Sequence, residues 1–93
     1  MNPQQCRSLL QCLAEGSEAE KKRAREGLQR LRVNGYIKTM LLCEAPYLNN
    51  KEVMEAVFHK LPDISLNPRD HIRWQRAVNH WKKRDPEWVS RFQ

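Results

Sequence analysis

Ninety-three residues are enough for one small domain and too few for two separate cores; such a domain buries only about two-thirds of the surface its unfolded chain exposes, leaving little interior for a catalytic cavity. A hydrophobic fraction of 40% beside a charged fraction of 30% is a globular composition and excludes a disordered tail. Seventeen Lys and Arg against eleven Asp and Glu leave a net charge of +6, which points to nucleic acid, an anionic membrane or an acidic protein surface without choosing among them.

Along the chain, Asn or Asp stands directly before proline at Asn2-Pro3, Asn67-Pro68 and Asp85-Pro86. An N-cap oxygen accepts from an orphan amide, and proline suits the first helical position, where its missing N–H goes unused, so each pair predicts a helix start. Behind the first pair, Cys6, Leu9, Leu10 and Leu13 fall on one helical face, and Gly16 closes the element. Ser17 and Glu20 form a capping box that opens a second helix, predicted to run to Asn34-Gly35. The join is nearly immediate, so the two should form a tight hairpin.

Asn34-Gly35 between apolar flanks is also a β-hairpin signal. Helix is preferred, because Ala24, Leu28 and Leu31 keep a 3.6-residue period and no second strand pair exists to complete a sheet. A short third helix is expected from Tyr36 to about Glu44 with Ile37, Met40 and Leu41 inward, ended by Pro46. Asn49 and Glu52 read as another capping box, followed by a buried stripe of Val53, Val57, Phe58 and Leu61 up to Pro62. A short linker carries Ile64 and Leu66, expected to pin it to the core. The main helix is predicted from Pro68 to about Arg84, with a terminal turn or two from Pro86. The expected architecture is all-α, a small single-domain bundle of about four to five helices, with residues 1–66 as the helical core and 67–93 as a basic, Trp-bearing C-terminal region.

Charge is uneven. Residues 18–38 and 67–93 each carry seven basic and three acidic side chains, whereas residues 39–66 carry two and four. In the C-terminal helix Arg69, Arg73, Arg76, His80 and Lys83 follow steps of four, three, four and three, which at about 100° per residue draws one narrow line along the helix. Trp74, Val78 and Trp81 fall on the far side. The plain reading is a solvated basic face over a core contact; the functional reading is a docking ridge, since Arg- and Trp-bearing surfaces are enriched in binding hot spots. Three tryptophans, Trp74, Trp81 and Trp88, beside Phe92 exceed what one small core face needs, so some are expected at the surface as partner contacts. Lys21, Lys22, Arg23 and Arg25 make a secondary basic cluster at a helix N-terminus, where the dipole disfavours cations and Glu18 and Glu20 offset them. Any role there is electrostatic. Pro68 stands where the linker meets the main helix. Its preceding bond is expected to be trans; exchange at that bond would make Pro68 a hinge for the ridge and give a host prolyl isomerase a place to act.

Cys6, Cys12 and Cys43 are odd in number and include no C-x-x-C pair, which reads as free thiols in a reducing compartment. His59, His71 and His80 are scattered, and neither zinc-site spacings nor phosphate-binding or nucleophile-elbow motifs occur. No enzyme, metal or cofactor is therefore expected. The N-terminus lacks the pattern of a signal peptide and the longest apolar stretch, Met40 to Cys43, is too short to span a bilayer, so a cytoplasmic protein without membrane partners is expected. A helix-turn-helix reader is disfavoured, because the connector from Ala45 to Asn49 is long and Glu52 and Glu55 occupy the first turns of the would-be recognition helix.

From M-N-P-Q-Q-C-R-S-L-L through L-N-P-R-D-H-I-R-W-Q-R-A-V to W-K-K-R-D-P-E-W-V, the chain resembles the second anti-RecBCD family of P22-like lambdoid bacteriophages. That resemblance implies a non-enzymatic phage accessory protein that binds the host RecBCD helicase–nuclease through its RecC subunit, modifying it so that phage recombination replaces DNA degradation. It transfers no binding residues by motif. The alternative is a small basic nucleic-acid-binding protein, disfavoured because, with Phe58 assigned to the buried stripe, only Tyr36 and Tyr47 are left away from the C-terminus to serve as stacking platforms for single strands.

Overall fold

Every predicted helix forms, and the order is α1 (Pro3–Glu15), α2 (Glu18–Arg30), α3 (Gly35–Cys43), α4 (Lys51–Lys60), α5 (Pro68–Arg84) and α6 (Pro86–Ser90), in a computed structural model that describes residues 3–93. The Asn2 half of the first Asn-Pro pair lies outside the described residues. Two 3₁₀ turns, Ala45–Leu48 and Leu61–Asp63, flank α4, and no strand occurs among the described residues. The domain is all-α.

Side-chain caps explain most of the starts. Ser17 and Glu20 cap α2 reciprocally, with the Glu20 amide donating to Ser17 Oγ at 3.2 Å and the Ser17 amide to Glu20 Oε1 at 3.1 Å. Asn67 and Asp70 form a second such box on α5, at 2.8 and 3.1 Å, ahead of Pro68 in the first turn. Asp85 accepts from the Trp88 amide at 3.1 Å and opens α6. No cis peptide bond occurs among the described residues, so the Asn67–Pro68 bond is trans.

Three boundaries correct the sequence reading. Helix α2 stops at Arg30, because Leu31 turns extended to reach the core. Asn34 then caps α3 by accepting from the Ile37 amide at 2.9 Å, so Asn34-Gly35 begins a helix instead of ending one. The cap of α4 is Asn50, whose Oδ1 accepts from the Val53 amide at 3.1 Å; Asn49 is left-handed at φ 57° and ends the preceding turn, a conformation Asn tolerates better than most residues. Gly16 does follow α1, yet it has no positive φ. Its reason is space, since a Cβ there would sit 2.6 Å from the Cys12 carbonyl oxygen.

Helices α1 and α2 form the expected hairpin, and α4 lies behind it, touching both. Gly27 lets the hairpin close, because a Cβ there would meet Leu9 at 3.2 Å. On the other side α5 packs against α3, the Ala45–Leu48 turn and α6. One core runs through all of this: Leu13 and Leu28 from the hairpin, Ile37 and Leu41 from α3, Val53, Met54 and Val57 from α4, Val78 from α5 and Val89 from α6 are all fully buried. Ile64 is buried and Leu66 packs on the same core, so the linker is pinned as its sequence suggested. The radius of gyration, 12.5 Å, is that of one compact unit of this length, about 12 Å. The C-terminal helices therefore complete the core that residues 3–66 begin.

Two buried charged side chains tie elements together. Lys60, at the end of α4, donates from Nζ to the Gln29 carbonyl at 2.9 Å and so caps the C-terminal turn of α2. Asp70, in the first turn of α5, receives Lys38 of α3 at 2.6 Å, while Lys38 also donates to the Ser65 carbonyl at 3.3 Å. The Lys38 hydrogen bond and the Asn67 amide hold the Asp70 carboxyl below its ordinary pKa despite burial. These contacts fix the direction in which α5 leaves the linker.

Candidate functional site

Helix α5 sorts its side chains as the periodicity demands. Trp74, Ala77, Val78 and Trp81 face the core, and the line from Arg69 to Lys83 faces outward. Arg69, Arg76 and Lys83 are exposed, and Arg73 and His80 are half-buried along the edge that meets α3 and the Ala45–Leu48 turn. Pro68, itself exposed, sits at the head of this line as the first residue of α5.

The three tryptophans, some of them expected at the surface, are all buried. Trp74 and Trp88 retain 9% of their surface and Trp81 retains 3%. They gather with Phe58 and Phe92 into one aromatic cluster: Phe58 meets Trp74 edge-on at 5.2 Å and stacks on Phe92 at 4.6 Å, while Trp88 lies 5.2 Å from Trp81 and 5.1 Å from Phe92. The sequence reading took one α5 face as the whole demand for aromatic packing. Helix α6 folds back and brings Trp88 and Phe92 onto α4 and α5, so the space to be filled is three-sided. Trp81 also donates its indole N–H to the Pro46 carbonyl at 2.7 Å, which holds the Ala45–Leu48 turn beneath α5.

That turn adds residues to the ridge that no helical periodicity could place there. Tyr47, 44% exposed, sets its ring 4.9 Å from His80. Asn49 Oδ1 lies 3.3 Å from His80 Nε2 and also accepts from Arg84, whose guanidinium rests over Trp81 at 5.5 Å. On the other flank Ile72 is 57% exposed, one turn from both Arg69 and Arg76. An isoleucine on an otherwise polar face is a legible signal in the sequence. The asparagine was legible too, and was taken for a helix cap.

Acidic groups are drawn away from this face. Asp70 is buried against Lys38, and its other oxygen lies 3.7 Å from Arg73. Asp85 turns toward Lys51, whose Nζ is 2.6 Å away, and this hydrogen bond lowers its pKa. Arg69, Arg76, Lys82 and Lys83 have no carboxylate partner among the described residues.

The secondary cluster is dispersed. Lys21 is half-buried and bound to Glu52 at 3.0 Å, while Lys22, Arg23 and Arg25 are exposed, Arg25 lining a notch shared with Glu52, Glu55 and His59. No cysteine sulfur meets a histidine ring in a hydrogen bond among the described residues, and burial pushes the Cys6 thiol up, away from the reactive thiolate. No group of three metal-ligating side chains converges among them, and no helix is long and apolar enough to cross a membrane. Comparison with protein-family models, with curated proteins and with solved structures finds no match to this chain.

Proposed function

We propose that this protein acts by binding, without chemistry of its own, and that the outward face of α5 is where it meets its partner. The observation that carries the reading is the ridge itself: cations aligned along α5, with Asp70 buried against Lys38 and Asp85 at the C-cap bound by Lys51. A rigid helix anchored by buried tryptophans presents these charges at low entropic cost, because only their side chains remain to be ordered. The partner in this reading is an acidic surface of a larger protein. The resemblance of the sequence gives it an identity, the bacterial RecBCD helicase–nuclease met at RecC, whose redirection toward recombination would be the biological outcome in the host cytoplasm. The Asn67–Pro68 bond is exposed and lies at the pivot of the ridge. A host prolyl isomerase acting there would set how quickly the binding face is presented.

Purified RecBCD, immobilised and titrated with the wild-type protein and with the Arg73→Glu/Arg76→Glu double variant, tests the reading. A complex that the double variant fails to form supports it, and absence of any complex at micromolar concentrations overturns it. Salt separates protein docking from the nucleic-acid alternative. Binding through phosphates falls with a log–log slope of about −0.7 to −0.9 per phosphate contacted, whereas docking with an apolar contact at Ile72 falls less steeply.

A further inference from the structure

We infer that the ridge contains one discrete carboxylate-binding notch, between Arg73 and Arg76 of α5, Leu42 and Cys43 of α3 and Tyr47 of the 3₁₀ turn, and that it takes an Asp or Glu side chain of an acidic protein segment. The inference rests on the reading of α5 as a protein-docking face and narrows it to a site. These five residues line a notch of about 250 Å³. Leu42 among them is buried and Tyr47 half-exposed, and the two arginines stand one helical turn apart on α5.

The chemistry favours a carboxylate. Guanidinium groups match a carboxylate with paired, charge-assisted hydrogen bonds, and apolar walls strengthen such bonds by excluding water. Arg73 is only partly satisfied by Asp70 at 3.7 Å, since the short contact of that carboxylate is to Lys38, and Arg76 has no partner among the described residues. His80 packs against Tyr47 and lies 3.3 Å from Asn49 Oδ1, which holds the Tyr47 side of the notch in place. The nearest further acid in sequence, Glu44, is engaged by Arg7 at 3.4 Å. A single-stranded nucleic acid fits less well, because it stacks its bases on free aromatic faces and Tyr47 is packed against His80. Ile72, exposed on the opposite flank of the ridge and one turn from Arg76, suits an apolar contact elsewhere on the same protein surface.

A hexaglutamate peptide and a dT12 oligonucleotide, each titrated into isotopically labelled protein at low salt, provide the test. With the peptide, the Arg76 guanidinium, the Tyr47 ring and the Cys43 amide should shift together. Arg76→Gln should weaken the peptide about tenfold, the order expected for losing hydrogen bonds to a charged group, while Lys83→Gln, an equal loss of charge two turns away, should leave it within about twofold. Shifts spread evenly along Arg69–Lys83, with both variants weakened alike, overturn the notch, and so does stronger saturation of these signals by the oligonucleotide. RecBCD binding by the same variants keeps the two ideas apart. A complex equally sensitive to Arg76→Gln and Lys83→Gln retains the docking face and removes the notch; peptide capture without a RecBCD complex does the reverse.

Discussion

Replacing Trp81 by Phe asks whether the indole belongs to the core or to a partner. The ring is 3% exposed and its N–H reaches the Pro46 carbonyl at 2.7 Å. Phenylalanine keeps much of the apolar contact and abandons that carbonyl beneath α5, where an unsatisfied buried acceptor costs about 1–3 kcal/mol. The smaller ring adds about 1 kcal/mol through lost contact with Trp88 and the space left behind. A domain of this length has about 5–14 kcal/mol of stability in total, so a loss of about 2–4 kcal/mol is a large share. At about 4–8 °C per kcal/mol for a domain near this size, the melting temperature followed by far-ultraviolet circular dichroism should fall by at least about 8 °C. Trp88→Phe is the control, because its indole N–H has no hydrogen-bond partner among the described residues, and it should cost distinctly less. A Trp81→Phe protein melting within about 2 °C of wild type refutes the assignment of that indole to a structural bond.

Reversing Arg73 and Arg76 to Glu should leave helicity and melting nearly unchanged, since only the 3.7 Å contact to Asp70 is lost inside the chain, while capture of the partner in a binding titration disappears. Asp70 and Asp85 have lowered pKa values, chiefly through Lys38 and Lys51, so their stabilisation is complete above the ordinary carboxylate pKa of about 4 and is lost as pH falls through their lower folded values. Urea midpoints between pH 7 and 2 should therefore drop on the acid side, and Asp70→Asn should be less stable at neutral pH with a shallower acid limb. Pro68→Ala keeps the Asn67–Asp70 box and should cost less than about 1 kcal/mol, yet stopped-flow binding should lose any phase of tens of seconds that prolyl exchange gives the wild type. Identical single-phase traces for both proteins remove the isomerase from the proposed function.

What was legible in the sequence was whatever depends on a few adjacent residues. The Ser17–Glu20 box, the Asn67-Pro68 and Asp85-Pro86 starts and the amphipathic sorting of α5 are local, because a cap satisfies amides three residues away and helical periodicity needs no distant partner. The tryptophans illustrate the opposite case. Whether Trp88 is buried depends on α6 folding back against Phe58, thirty residues earlier, and no spacing within the last twenty residues contains that information. Asn49 and Asn50 show a finer limit. Both can cap, and the choice is made by the turn that must first bring Pro46 under Trp81 and leave Asn49 left-handed. Tyr47 joins the candidate site only because of that turn.

The same long-range contacts explain why the ridge is left uncompensated. Helix α5 carries one acid, Asp70, and its C-cap carries another, Asp85; either could neutralise an arginine one turn away if it faced outward. Instead Lys38 draws Asp70 into the junction with α3, and Lys51 draws Asp85 toward α4, so two lysines from outside the C-terminal region bind two of its three acids, Glu87 of α6 being the third. Each pair joins α5 to a neighbouring helix at one of its ends and holds the helix in place. Each also removes a negative charge from the outward face. Anchoring α5 and exposing its positive charge are thus one arrangement, and a partner that needs both a rigid helix and an unmasked guanidinium row would find them supplied by the same two ion pairs.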